Sequence, residues 1–269
     1  MTFTSVNPHD PADVLGRWEA AANGEADAAV SRALKAAEVW REAPGAARAK
    51  ALGDAATALE QRAAEVTDLV VREVGKPVSE ARGEVARGVA ILRYYAQAAL
   101  APDGETLPAA DPDQLLMARY LPVGVAALLT PWNFPVAIPL WKAAPSLAYG
   151  NATIVKPSSA AAATGLMLGE IIGPLLPADV FQVVLGSGDT ARALIDNPGV
   201  AAVSFTGSSA VGRDVSEVLD TYVYNNGVLG GDWGVAAAVG LVKGLVGVAL
   251  VLAANKVAHI FGEEGVYSR

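Results

Sequence analysis

Cysteine is absent from the sequence. That excludes disulfides, thiolate metal sites and a cysteine nucleophile from its chemistry. Histidine is scarce, with His9 near the start and His259 near the end. Neither a Ser-His-Asp triad nor a histidine metal cluster is expected from those two. Basic charge is outweighed, with 20 Lys and Arg against 28 Asp and Glu and a formal net charge of -8. Such a balance argues against nucleic acid or an anionic lipid surface as the main partner. The opening MTFTSVNPHDPADV lacks a basic start followed by an apolar run, so it does not read as a secretory signal. A cytoplasmic body is the expectation.

What is present is 269 residues, enough for one large domain or two ordinary ones with an ample core. From about Gly24 to Leu100, apolar residues recur every three or four positions, which predicts helices. EADAAVSRALKAAEVWREA is broken by Pro44-Gly45, and AARAKALGDAATALEQRAAEVTDLVVREVGKP reads as two helices stopped by Gly75 and Pro77. SEARGEVARGVAILRYYAQAAL reads as another, with Ser79 as its cap and Glu80 and Glu84 suited to its first turns. A turn-rich strip, APDGETLPAADPDQ, follows, and then LLMARYL and VGVAALLT read as strands. Helix VAIPLWKAAPSLAYG, strand ATIVKP, helix AATGLMLGEIIG, strand FQVVLG, helix DTARALIDN and strand AAVSFTG then alternate. This is the pattern of an α/β fold with a parallel sheet covered on both faces and ligands at the strands' carboxyl ends.

Three short motifs stand at such ends: TPWNFP from Thr130 to Pro135, KPSS from Lys156 to Ser159, and FTGS from Phe205 to Ser208. Their order and spacing resemble the aldehyde dehydrogenase superfamily over roughly Ser5 to Arg213, including the helical opening REVGKPVSEARGEVAR. The resemblance implies a partial Rossmann-like NAD(P)-binding domain over 1–214, with a bridging arm at 104–121. It also implies that the Asn133 amide donates to the oxyanion formed when a nucleophile attacks a small-molecule aldehyde. The two prolines of TPWNFP would stiffen the chain and fix where Asn133 points. A plainer reading makes Asn133 the cap of the following helix.

By the same resemblance Leu129, Thr130, Pro131 and Trp132 lie along the cofactor. Lys156 presents a charged donor to the adenosine ribose with Ser158 beside it, although a surface lysine at a strand end is also common. Ser159 stands where many NAD-preferring members carry a glutamate, so NADP is permitted as well as NAD. Gly207 and Ser208 bring backbone N–H groups and a helix dipole to the pyrophosphate. Gly188, within GSGDT, lines the adenine side, and Phe205, Thr206 and Val211 lie near the cofactor. No metal is implied.

A family member continues past this point with a glutamate base in a Glu-Leu-Gly-Gly motif and a cysteine nucleophile. Neither is identifiable here: VLGG, Val228 to Gly231, is only a superficial likeness, read as coincidence, and Val228 could not take a proton. Aldehyde oxidation needs a thiolate to form a thiohemiacetal, from which hydride leaves. The expectation is a truncated cofactor cradle with one oxyanion donor and no aldehyde oxidation by this chain alone.

The last part, 215–269, resembles the C-terminal end of a sugar-type ABC transporter permease, with DTYVY leading into an apolar run, so the chain reads as chimeric. Twenty residues, 235–254, would span a hydrocarbon core of roughly 30 Å as a transmembrane helix. Their Val and Leu residues favour insertion by about 3 to 6 kcal/mol, against about 2.5 to 3.5 for Lys243. Acidic residues before the span and Lys256 and His259 after it place the C-terminus inside, in the inner membrane. The alternative for this stretch is a buried helix completing a soluble core. A natural fusion, an error of gene assembly and a non-catalytic membrane-attached protein all stay open. Without its partner surface, the arm at 104–121 would leave an unpaired strand edge prone to self-association.

Overall fold

The computed structural model describes residues 2–19, 24–101, 103–111, 113–208 and 212. Val211 and the whole of 215–269, including the candidate span 235–254, lie outside the described residues. Among the described residues no helix is long and apolar enough to cross a membrane.

The chain opens with an antiparallel hairpin of β1 (Thr2–Asn7) and β2 (Asp10–Glu19), paired from Thr2↔Glu19 to Asn7↔Asp10. Asn7 Oδ1 accepts from the His9 N–H at 3.0 Å, an Asx turn that reverses the chain at Pro8. Asp13 ties the hairpin to the helices through Arg72, at 2.5 and 2.9 Å. That guanidinium lowers the Asp13 carboxyl from 3.8 to about 2.

Four helices follow: α1 (Glu25–Arg41), α2 (Gly45–Gln61), α3 (Ala63–Val74) and α4 (Val78–Ala98). In α1 the buried set Ala26, Ala29, Val30, Ala33, Ala37 and Trp40 follows helical spacing, the stripe that turns one face inward. Gly75 ends α3 at φ 69, and its N–H donates to the Val71 carbonyl. The expected cap at Ser79 is incorrect: α4 starts at Val78 behind Pro77, so Ser79 is already helical. Proline pre-sets the entry into the helix and lacks only an N–H that would go unpaired there.

The strip called turn-rich contains a strand. Its β3 (Gly104–Leu107) pairs antiparallel with β4 (Leu116–Arg119), forming a separate two-stranded arm whose side chains are largely exposed.

Then come β5 (Val125–Thr130), α5 (Ala137–Ala148), β6 (Ala152–Pro157), α6 (Ala162–Ile172), β7 (Phe181–Val183), α7 (Gly188–Asp196) and β8 (Val200–Phe205). The four strands form a parallel sheet in the order β7-β6-β5-β8. Chain order proceeds outward from β5 to β7 and then jumps to the other side of β5, so the sheet has a switch point there. The pleat sorts the core. Val125, Ala127, Leu129, Ala152 and Ile154 pack with α1 and α7, whereas Ala126, Leu128 and Val155 pack with α5 and α6. On that second face α2, α3 and α4 form an additional helical layer. Gly88 of α4 permits the close approach to α5, since a Cβ there would lie 2.9 Å from Leu140 Cδ1 and 3.0 Å from Val136 Cγ1.

Candidate functional site

The carboxyl ends of β5, β6 and β8 lie side by side: Leu129 is paired with Lys156 on one side and Phe205 on the other. Two backbone bonds extend this alignment into the loops. The Thr206 N–H donates to the Leu129 carbonyl at 3.0 Å, and the Ser158 N–H to the Thr130 carbonyl at 2.9 Å. Thr130, Ser158 and Thr206 are therefore held together next to the switch point, where an open sheet of this kind forms its ligand crevice. Thr130 is 6% exposed, and its Oγ1 is a buried polar atom without a protein partner. Such an atom is costly unless a ligand or water meets it.

The segment after β5 projects into solvent. Trp132, Asn133 and Phe134 are exposed, while the backbone is fixed from behind. Lys76, in the turn between α3 and α4, donates from Nζ to the Asn133 carbonyl at 2.7 Å and to Glu84 Oε2 at 2.6 Å. The same ammonium lies 3.9 Å from the centre of the Phe134 ring. Glu84 is 4% exposed, and its Oε1 accepts from the Val136 and Ala137 N–H groups at 2.8 and 3.0 Å. Glu84 thus caps α5 from another helix, with its charge at the positive end of the dipole. The plainer reading of Asn133 as that cap does not hold. Its side chain accepts from neither N–H, and no protein hydrogen bond to it occurs among the described residues.

A second glutamate does the same for the segment after β6. Glu73, on α3 and 5% exposed, accepts from the Ala163 N–H at 2.8 Å and from the Thr164 N–H and hydroxyl at 2.8 and 2.6 Å. Its fourth donor is the Ser5 hydroxyl of β1, at 2.9 Å. Between β6 and α6 a 3-10 turn, Ser159–Ala161, carries Ser159 at the surface. Ser158 was expected at the ligand; its Oγ accepts from the Ala160 N–H and so shapes this turn.

Charge at this end of the sheet is partly desolvated. Lys156 shares the pleat face of Ile154, is half-buried, and has its pKa lowered by burial. Lys142 of α5, whose pKa burial also lowers, donates to Ser204 Oγ of β8 at 2.6 Å. Past β8, the Phe205 ring lies over Gly207, where a Cβ would come 2.6 Å from Cζ and push the ring aside. The Gly212 N–H donates to the Ser208 carbonyl at 2.9 Å. Exposed Gly188 opens α7 behind Ser187, whose Oγ accepts from the Asp189 N–H.

The structure brings Leu129, Thr130, Lys156, Ser158, Phe205 and Thr206 together directly, with Pro131, Trp132, Asn133, Ser159, Gly207 and Ser208 on the loops they enter. Gly188 follows β7 at the same end of the sheet, and Val211 lies outside the described residues. Lys76, Glu73 and Lys142 were not read from the sequence as site residues, and Glu84 was read only as a first-turn helix residue. The one available signal was that Glu73 and Glu84 are carboxylates on faces that otherwise carry core residues.

Comparison with known proteins follows the same outline. The sequence profile of the aldehyde dehydrogenase family matches residues 1–226. The match runs past the 1–214 boundary and into the part resembling a permease, which these comparisons do not support. The chain is 40% identical over 216 residues to an α-ketoglutaric semialdehyde dehydrogenase of Bacillus subtilis (strain 168), covering 78% of this chain and 44% of the relative. It thus spans less than half the length of that relative. An NAD-dependent aldehyde dehydrogenase from Sinorhizobium meliloti superposes with TM-score 0.76 at 32% identity, covering 80% of this chain and 44% of that one. An NADP-dependent enzyme of E. coli does so with TM-score 0.76 at 34% identity, covering 80% and 45%. By its parallel sheet, by the loops at that sheet's carboxyl end and by this match over most of its length, the chain belongs to the aldehyde dehydrogenase family.

Proposed function

We propose that this chain is the NAD(P)-binding half of an aldehyde dehydrogenase-type enzyme, and that these residues by themselves hold the dinucleotide without oxidising aldehydes. One observation carries the reading: the ends of β5, β6 and β8 align, with a buried, unpartnered Thr130 hydroxyl beside them. The residues suit the ligand. A pyrophosphate at the start of α5 or α6 would face the carboxylate of Glu84 or Glu73, which already takes the first N–H groups there. The Gly207–Ser208 turn is the better place for it. Lys156 then reaches the adenosine ribose, and Leu129, Pro131, Trp132, Phe205, Thr206 and Val211 flank the cofactor, with Gly188 on the adenine side. Ser159 is small, neutral and exposed, which admits the 2′-phosphate of NADP without excluding NAD.

When bound, the nicotinamide supplies a hydride acceptor for aldehyde oxidation. Asn133 contributes an exposed amide that donates to a developing oxyanion, on a backbone held by Lys76. The attacking sulfur is not among these residues, because cysteine is absent, and no Glu-Leu-Gly-Gly motif occurs in the sequence to supply the general base. For the complete enzyme we propose an oxo-acid semialdehyde as substrate, after the name of the Bacillus subtilis relative. For 215–269 the permease-like reading, with a cytoplasmic body and membrane attachment through 235–254, rests on sequence alone. Pelleting with membranes that resists high salt would support it.

Calorimetric titration with NADP and NAD tests the reading. Heat from at least one is expected, with Lys156→Ala weakening it by about tenfold or more through loss of a charged hydrogen bond. No heat from either, or equal binding by the variant, removes the cofactor assignment. Mixed with aldehydes and NAD(P), the purified chain should give no NAD(P)H absorbance, and any turnover overturns the inactive assignment.

A further inference from the structure

We propose that Glu73 is a positioning residue for the cofactor and that Ser5 makes the N-terminal hairpin part of that device. The inference rests on the dinucleotide reading above and deepens it. The turn Ser159–Ala161 is the segment through which β6 presents side chains to the crevice. Its leading end is fixed by the Ser158 N–H bonded to the Thr130 carbonyl. At its trailing end α6 has no side-chain cap of its own, since its N-cap position is Ala161. Glu73 supplies that anchor from α3.

The bonding pattern specifies a carboxylate. Oε1 accepts from Ser5 Oγ at 2.9 Å and the Ala163 N–H at 2.8 Å, and Oε2 accepts twice from Thr164, at 2.8 and 2.6 Å. Four donors converge on two oxygens in a buried space. A glutamine would offer one oxygen and turn an NH2 group toward two of those donors. An aspartate is one methylene shorter. Ser5 is itself buried and 68 residues from Glu73, so the first strand of the chain fixes which way the carboxylate points. Displacing the carboxylate would move the start of α6, and with it the exposed Ser159 that sits where a ribose substituent is accommodated. Discrimination between NADP and NAD, which differ only by the 2′-phosphate, is therefore the quantity these residues control.

The experiment is calorimetric titration of the full chain and of Ser5→Ala, Glu73→Gln and Glu73→Asp with NADP and with NAD. Ser5→Ala keeps all three bonds to α6 and is the variant least able to disturb folding. The expected result is a change in the NADP-to-NAD affinity ratio of about threefold for Ser5→Ala and about tenfold for Glu73→Gln, as expected for losing a buried hydrogen bond. Glu73→Asp should restore part of the ratio. A general loss of structure would weaken both ligands by one common factor. Binding with an unchanged ratio in Ser5→Ala and Glu73→Gln overturns this proposal and leaves the cofactor site standing. Failure of the unsubstituted chain to bind either dinucleotide sinks both.

Discussion

Lys156 has a pH signature that tests the recognition role proposed for it. Burial lowers its pKa from the ordinary 10.5, because the charged form is costly in the half-buried space at the end of β6. The folded chain therefore holds this proton less tightly than the unfolded chain does. The penalty to stability is present while the lysine is charged and is relieved as pH rises through the folded value. A bound dinucleotide acts in the opposite direction, since its hydroxyl and phosphate oxygens favour the ammonium. Dinucleotide affinity is thus expected to be flat at neutral pH and to fall at alkaline pH, beginning below 10.5. Titrations at a series of pH values check this, and the fall should vanish in Lys156→Ala. The placing of Asn133 and Lys156 at strand ends was legible in the sequence, because each sits in a short motif that closes an apolar run. Lys76, Glu73 and the role of Glu84 were not. Their partners lie 52 to 91 residues away, and nothing in a local pattern records a cap supplied by another helix.

At the level of elements, the alternating half of the sheet was legible because each of its segments is consistent within itself. VAALLT is buried at every position and ATIVKP at all but Lys156, as strands covered on both faces must be. The hairpin β1–β2 was not legible, because its mostly exposed, proline-containing residues show no clean alternation. Its docking rests on polar contacts, Ser5 with Glu73 and Asp13 with Arg72. The Asp13 contribution has a defined window. With its carboxyl lowered from 3.8 to about 2, the pairing is complete above the ordinary value and is lost as pH falls through about 2. Amide exchange of β2 should accelerate across that interval, and Asp13→Asn should remove the dependence. The caps make a separate element-scale case. Glu84→Gln can keep both α5 N–H groups on its one oxygen but turns its NH2 toward the Lys76 ammonium, so a stability loss of about 1 to 3 kcal/mol in denaturant unfolding is expected. Lys76→Met retains those caps and should chiefly free the segment around Trp132, read as a change in tryptophan fluorescence.

Across the whole molecule, two apolar surfaces stand apart from the core. The arm of β3 and β4 exposes Leu107, Leu116 and Met117, with Leu115, Tyr120 and Leu121 beside them. Among the described residues, β8 is paired only with β5 and exposes Val203 and Phe205. Each strand of the arm likewise has one unpaired edge, and an exposed apolar strand edge is a template for another chain. The net charge of -8 opposes association at long range, but its effect decays within roughly 10 Å at ordinary salt. Contact between edges occurs inside that distance, so apolar burial and backbone pairing decide the outcome. The purified chain is therefore expected to self-associate as concentration rises, and more so in high salt. Sedimentation velocity over a range of concentrations measures this directly. Leu116→Lys with Met117→Lys places charge on the arm and should shift the distribution toward the monomer without altering the far-ultraviolet circular dichroism. A chain that sediments as a monomer throughout, with or without these lysines, would show that neither surface seeks a partner.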